Sequence, residues 1–179
     1  DILTNSTNHY FFISSSRVYA GISTQLNDDS LRLLDVSTDN EFLNTDEYAL
    51  AKARQEDLLR QTGKTNWTII RPYITYSDQR LQLGVFEKEC WLYRALKGRT
   101  IVFSKEIAHH ITTMTLGDDV ARVLAGMVGN ADLLGKALHI TCDHAISWKD
   151  VLSIYSEVLE RFQGRQPKIL LVSQDEFEQ

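Results

Sequence analysis

Three runs occur in order along a chain of 179 residues: Tyr10-Phe11-Phe12-Ile13-Ser14-Ser15-Ser16, then Tyr48-Ala49-Leu50-Ala51-Lys52, then Trp67-Thr68-Ile69-Ile70-Arg71-Pro72. The first and third are short and continuously apolar, the pattern of strands covered on both faces in a parallel sheet. The middle run opens a helix that extends to about Gln61, with Thr45 or Asp46 as the expected cap, acidic residues in its first turn and Gly63 as its stop. Strand, long connection with a helix, and strand is the order of a parallel βαβ unit. Such units carry function at the carboxyl ends of their strands. Those ends are Ser14, Ser15 and Ser16 on one strand and Arg71, Pro72 and Tyr73 on the other.

On a helix, Tyr48 and Lys52 share one face. An ammonium beside a phenol favours the phenolate and draws a tyrosine down from its reference pKa of about 10 toward acid–base work. Spacing alone decides nothing, because Tyr93 and Lys97 repeat it in Trp91-Leu92-Tyr93-Arg94-Ala95-Leu96-Lys97, far from any strand end of this kind. Tyr93 is expected to pack, on a helix over 85–96 whose apolar side carries Phe86, Cys90 and Tyr93. Residues 20–46 read as a long polar loop with a helical turn near 30–34. A helix capped by Asp118 or Asp119 runs to Val128, a strand covers 137–141, and a helix opens at Ser147 with Asp150 completing a capping-box pattern. The elements keep alternating, so the fold class is α/β.

Ordinary apolar (43%) and charged (24%) fractions suit a globular domain, and a net charge of −5 without a lysine or arginine cluster disfavours nucleic acid as a partner. No apolar run approaches the roughly 20 residues of a bilayer span, so a cytoplasmic protein without membrane attachment is expected. Cys90 and Cys142 are too few for a disulfide framework and are expected to be buried thiols. No metal site is expected: His109 and His110 would point to opposite faces of a strand, and His139 and His144 are read as structural.

Phe12-Ile13-Ser14-Ser15-Ser16-Arg17-Val18-Tyr19, Tyr48-Ala49-Leu50-Ala51-Lys52 and Thr68-Ile69-Ile70-Arg71-Pro72-Tyr73, in this order, resemble the second half of an extended short-chain dehydrogenase/reductase, the group of NAD-dependent nucleotide-sugar epimerases, dehydratases and reductases. Leu116-Gly117-Asp118-Asp119-Val120-Ala121 and Gly135-Lys136-Ala137-Leu138-His139-Ile140-Thr141 resemble later segments of the same family. The resemblance implies a partial Rossmann-like doubly wound parallel sheet over residues 1–79, and substrate-domain elements interleaved with the last sheet strand and helices over 80–179. It implies Ser15, Tyr48 and Lys52 as catalytic residues: Ser15 bonded to the reacting oxygen, Tyr48 as acid and base, Lys52 on the nicotinamide ribose. Tyr48, Lys52, Pro72, Tyr73 and Ile74 would contact NAD or NADP. Ser16, Arg17, Arg80 and Trp91 are candidates for contact with a sugar or nucleotide-sugar substrate, although helix packing is the ordinary role of such a tryptophan. A homodimer packing the helix of Tyr48 is also implied.

The sequence departs from the family in three places. None of its nine glycines forms Gly-x-Gly, so the turn that cradles a pyrophosphate is missing and this chain alone is expected to bind a dinucleotide weakly or not at all. An absent N-terminal portion is the expected reason. Ser16-Arg17 replaces the Asp-Glu pair of the dehydratases, which leaves an epimerase or reductase. Thr112 stands where many members carry a diphosphate-clamping arginine. The stretch 66–99 also resembles an atypical branch that includes chloroplast stem-loop RNA-binding proteins, so a non-catalytic or RNA-binding role is the alternative; that branch has lost the Tyr-x-x-x-Lys pair present here.

Overall fold

The computed structural model describes residues 2–21 and 25–177. In chain order the regular elements are α1 (Ile2–Ser6), β1 (Tyr10–Ile13), α2 (Leu33–Val36), α3 (Asn40–Leu43), α4 (Tyr48–Gln61), β2 (Trp67–Pro72), β3 (Ile74–Tyr76), α5 (Lys88–Leu96), β4 (Ile101–Ser104), α6 (Lys105–His109), β5 (Ile111–Thr112), β6 (Met114–Leu116), α7 (Gly117–Met127), β7 (Lys136–Ile140), β8 (Ile146–Ser147), α8 (Trp148–Gln163), β9 (Ile169–Val172) and α9 (Gln174–Phe177). They form two compact units, residues 1–73 with 118–141 and residues 74–117 with 142–179.

The first unit is built on a parallel sheet of order β1-β2-β7, with Tyr10 opposite Trp67, Ile13 opposite Ile70 and Pro72 opposite Ile140. The expected strands are therefore present and neighbouring. The central strand is buried from Trp67 to Arg71, and Ile69 and Ile70 are wholly buried in it. Helix α4 buries Ala49, Leu50, Ala53 and Leu59; complete burial of a leucine such as Leu50 contributes roughly 1.5–3 kcal/mol.

The α4 cap differs from expectation. Glu47 fills it, its side chain accepting from the Ala49 N–H at 2.5 Å. Thr45 is occupied elsewhere, donating its hydroxyl to the Phe42 carbonyl at the end of α3, and Asp46 points fully into solvent. The loop expected over 20–46 holds α2 and α3, and its residues 22–24 lie outside the described residues. It is pinned to the sheet at Asp28, whose carboxylate accepts from the His139 N–H at 2.6 Å and whose carbonyl accepts from Arg71 Nη1 at 3.2 Å. Helix α7 starts at Gly117, one residue before the expected caps, which places Asp118 and Asp119 in its first turn, where carboxylates complement the helix dipole.

In the second unit β3 pairs with β6 and β4 with β9, both parallel, while β5 and β8 are antiparallel. Its core gathers Leu83, Trp91, Ile101, Phe103, Trp148, Val151, Leu152 and Leu159. Ser147 caps α8 as its sequence suggested: the hydroxyl accepts from the Asp150 N–H at 3.1 Å and donates to the Asp150 carboxylate at 2.6 Å.

Helix α5 is shorter than expected and presents a different face. Trp91 and Ala95 point inward while Cys90 and Tyr93 are exposed. A shift of one position turns a helix face by about 100°, and the indole N–H of Trp91, bonded to the Leu81 carbonyl at 2.9 Å, fixes that turn. The expectation of two buried thiols is thus corrected: Cys90 is exposed and Cys142 half-buried. His109 and His110 are likewise not in a strand, for His109 ends α6 and His110 caps it. Burial pushes the Tyr155 phenol, stacked on Trp91, up to about 12.

Candidate active site

Sequence order places Ser14, Ser15 and Ser16 directly after β1, and the β1–β2 register brings Arg71 and Pro72 beside them. Ser15 adopts extended backbone and caps a short turn over Ser16–Val18, accepting from the Arg17 N–H at 3.2 Å. Its hydroxyl proton is not consumed by that bond. Ser16 is buried and donates to the Arg71 carbonyl at 2.9 Å, which ties the ends of the two strands together. Arg17 is exposed and pairs with Glu47 at 3.1 Å, linking the turn to the start of α4.

Helix α4 then carries Tyr48 in its first turn, 49% exposed, with Lys52 one turn later. The Lys52 ammonium donates to the carbonyl of Ile13, the last residue of β1, at 3.0 Å. It lies 5.2 Å from the centre of the Phe12 ring and 5.9 Å from that of Tyr48. The other pair gives the comparison: the Lys97 ammonium stands 5.8 Å from the centre of the Tyr93 ring. Helical spacing alone therefore produces the same approach of ammonium to phenol in both places. What separates them is the carbonyl at the end of β1, to which only the first pair is bonded among the described hydrogen bonds.

Beneath this surface lies a buried polar network that inspection of the sequence did not single out. Glu56, 0% exposed, accepts from Ser14 Oγ at 2.6 Å and from Arg71 Nε at 2.9 Å through Oε1, and from Arg71 Nη2 at 2.7 Å and Arg32 Nη1 at 3.3 Å through Oε2. Burial works to raise the Glu56 carboxyl, but the hydrogen bonds from Arg71 and Ser14 and the nearby guanidinium charges overcome it and hold the group below the usual carboxylate range. Burial likewise opposes the charge on Arg71, and its bonds to Glu56 outweigh that and keep it cationic. The Arg71 guanidinium also sits 4.9 Å over the ring of Tyr19, whose phenol is raised by burial against the opposing pull of Arg71. An arginine in a strand buried on both faces needs a partner, which was the available signal for this network.

Of the remaining sequence candidates, Pro72 is half-buried and Tyr73 is 38% exposed at the end of β2, within the same unit. Ile74 begins β3 in the other unit, where Arg80 pairs with Glu87 at 2.8 Å. Trp91 is 3% exposed and stacked on Tyr155 with ring centres 4.6 Å apart, so it is a core residue and offers no face to a substrate. Thr112, where a clamping arginine would stand, is 3% exposed. Among the described residues no group of three or more His, Cys, Asp or Glu side chains is placed to hold a metal ion, and no helix is long and apolar enough to cross a membrane.

Solved structures share this architecture. A UDP-glucuronic acid 4-epimerase from Bacillus cereus in complex with NAD superposes with a TM-score of 0.66 at 17% identity, over 93% of this chain and 50% of that one. This chain shares the Rossmann-like α/β fold of that structure. A dTDP-4-dehydrorhamnose reductase from Clostridium acetobutylicum gives a TM-score of 0.62 at 16% identity, over 94% of this chain and 52% of that one. The Bordetella bronchiseptica enzyme WbmH in complex with NAD+ gives 0.65 at 17% identity, over 95% and 50%. The chain thus spans about half the length of the structures it matches, and at these identities the likeness speaks for the fold alone. No protein-family model and no curated protein sequence matches the chain.

Proposed function

We propose that this chain is the carboxyl-terminal half of an NAD(P)-dependent epimerase or reductase acting on a sugar or nucleotide sugar, and that it carries the proton-handling part of the site. The observation that supports this most is the Lys52 ammonium bonded to the last carbonyl of β1, with Tyr48 one turn away on the same helix and Ser15 two residues beyond that carbonyl. In this reading Tyr48, as phenolate, accepts the proton of a substrate hydroxyl. Lys52 opposes the charge on the phenolate and holds ribose hydroxyls, and Ser15 donates to the reacting oxygen. Pro72 and Tyr73 would face the nicotinamide end. A bound nicotinamide supplies hydride acceptance and return, the redox part of the chemistry.

The residues present fit the nicotinamide end of such a cofactor and not its pyrophosphate. A tight glycine turn at a helix amino terminus is what cradles a pyrophosphate, and the glycines of this chain offer no Gly-x-Gly. The cradle is accordingly assigned to a segment beyond these residues, and the unit of residues 74–117 and 142–179 to the substrate. The exposed Leu58 on α4 suits packing of that helix against a second copy. Fluorescence titration of this chain with NADH and NADPH tests the division of labour. No saturable binding is expected in the micromolar range, and micromolar binding by these 179 residues alone would refute it.

A further inference from the structure

Tyr48, Lys52 and Glu56 stand at i, i+4 and i+8, so one face of α4 carries the pair of the proposed site and, one turn further on, a carboxylate with no access to solvent. The shortest contacts of that carboxylate, from Ser14 and Arg71, lead to strand ends. Ser14, which donates to Oε1, lies between Ile13, whose carbonyl Lys52 holds, and Ser15. Arg71, which binds both oxygens in a fork, immediately precedes Pro72, and its own carbonyl accepts from Ser16. Two further guanidiniums reach Oε2: Arg32, which also bonds the Ala53 carbonyl of α4, and Arg60 of α4 itself at 3.5 Å.

A buried ion pair adds little net stability over apolar side chains of the same size, so stability alone does not account for a glutamate here. What the fork supplies is direction. Two parallel hydrogen bonds to a planar guanidinium fix both the rotation and the height of the helix that carries the carboxylate. Lys52 lies about 6 Å along the helix axis from Glu56, at 1.5 Å per residue, and its ammonium is 3.0 Å from the Ile13 carbonyl in the setting of α4 that the fork holds.

We propose that Glu56 is the positioning residue of the Tyr48–Lys52 pair: it locks α4 to the ends of β1 and β2 and thereby holds the Lys52 ammonium against the Ile13 carbonyl. The role given to Glu56 deepens, and rests on, the reading of Tyr48 and Lys52 as the proton-handling pair. Glu56 itself touches no reacting group.

The test is NMR of the lysine ε-CH2 groups in 13C-lysine-labelled protein, with Lys52 identified from the signal lost in Lys52→Arg. Three variants are compared with the parent. Glu56→Leu with Arg71→Met replaces the buried pair by apolar side chains and is expected to fold. In it, the Lys52 signal should lose its ring-shifted position beside Phe12 and move to that of exposed lysines such as Lys136, while Lys97 stays unchanged. Ser14→Ala keeps the ion pair and removes only the 2.6 Å bond to Oε1, and it should move the Lys52 signal part of the way. Glu56→Asp, which keeps the charge on a shorter arm, should also displace it. A folded double variant whose Lys52 signal is that of the parent would show a merely structural brace and overturn the proposal. Should the double variant fail to fold, an unmoved Lys52 signal in Ser14→Ala overturns it equally. The measurement uses neither cofactor nor substrate, so its failure is distinct from a failure of the assignment of Tyr48 to catalysis.

Discussion

Replacing Arg71 by Met alone removes the guanidinium and leaves the Glu56 carboxylate in place, 0% exposed. The carboxylate loses bonds of 2.9 and 2.7 Å, and Tyr19 loses the cation 4.9 Å above its ring. Breaking a buried ion pair from one side costs about 3–5 kcal/mol. Ser14 Oγ, Arg32 Nη1 and, at 3.5 Å, the Arg60 guanidinium remain on Glu56, which puts the expected loss near the lower bound, about 3 kcal/mol. For a unit of around a hundred residues that corresponds to a fall in Tm of roughly 12–24 °C, at about 4–8 °C per kcal/mol. Urea unfolding of protein labelled with 5-fluorotryptophan reads it out, because Trp67 lies in the unit that contains Arg71 while Trp91 and Trp148 lie in the other. The pH dependence gives a second check. In the parent, Glu56 is held below its ordinary value of 4.5, so its contribution is present above that value and is lost as pH falls through the lower, folded one. In Arg71→Met, burial acts on Glu56 with its main counter-charge gone, and acidification relieves the variant while it weakens the parent. The gap between them should therefore narrow from neutral pH downward. A loss below about 1 kcal/mol at neutral pH, well under the 3–5 expected of a broken buried pair, or a gap that widens on acidification, would refute the assignment of Arg71 and Glu56 as a buried ion pair.

Other expectations follow from single positions. Gly84 has a φ of 57°, and a Cβ there would come within 2.7 Å of the Phe103 ring; Gly84→Ala should destabilise the second unit by roughly 1–3 kcal/mol, from overpacking and backbone strain together, and a neutral effect in thermal unfolding would contradict the packing. Ser147→Ala removes the cap of α8 and should cost about 1 kcal/mol, whereas Ser147→Thr should recover most of it. Under native conditions a thiol reagent should modify Cys90 at the rate of a free thiol and Cys142 more slowly, as their exposures differ; slow labelling of Cys90, followed by mass spectrometry, would argue against the orientation of α5.

What the sequence made legible, and what it hid, divides along physical lines. β1, α4 and β2 could be read because their patterns are local: continuous apolar runs broken by Ser14 and Pro72, and a helix stop at Gly63. The Ser147 cap is local for the same reason. The inward face of α5 was misread because Cys90 and Trp91 are adjacent and both apolar, and the choice between them rests on the Leu81 carbonyl that receives the Trp91 indole N–H. Asp28 could not be tied to His139 because 111 residues separate them in the chain and no periodicity spans such a gap. Glu56 was hidden in a different way, among the charged residues of α4, where a carboxylate is ordinarily solvated. The charge on Arg71, at the end of a run buried on both faces, was the one sign that a partner had to exist.

The account turns on the claim that Tyr48 and not Tyr93 handles the substrate proton, although both have a lysine at almost the same distance. Turnover of a nicotinamide-dependent sugar substrate by the protein that joins these residues to a dinucleotide-cradling segment tests it directly. Tyr48→Phe should lower kcat by roughly 100-fold to 10,000-fold, the usual share of general acid–base catalysis, while Tyr93→Phe leaves it unchanged. Near-parental turnover in Tyr48→Phe, or an equal loss in Tyr93→Phe, would contradict the account.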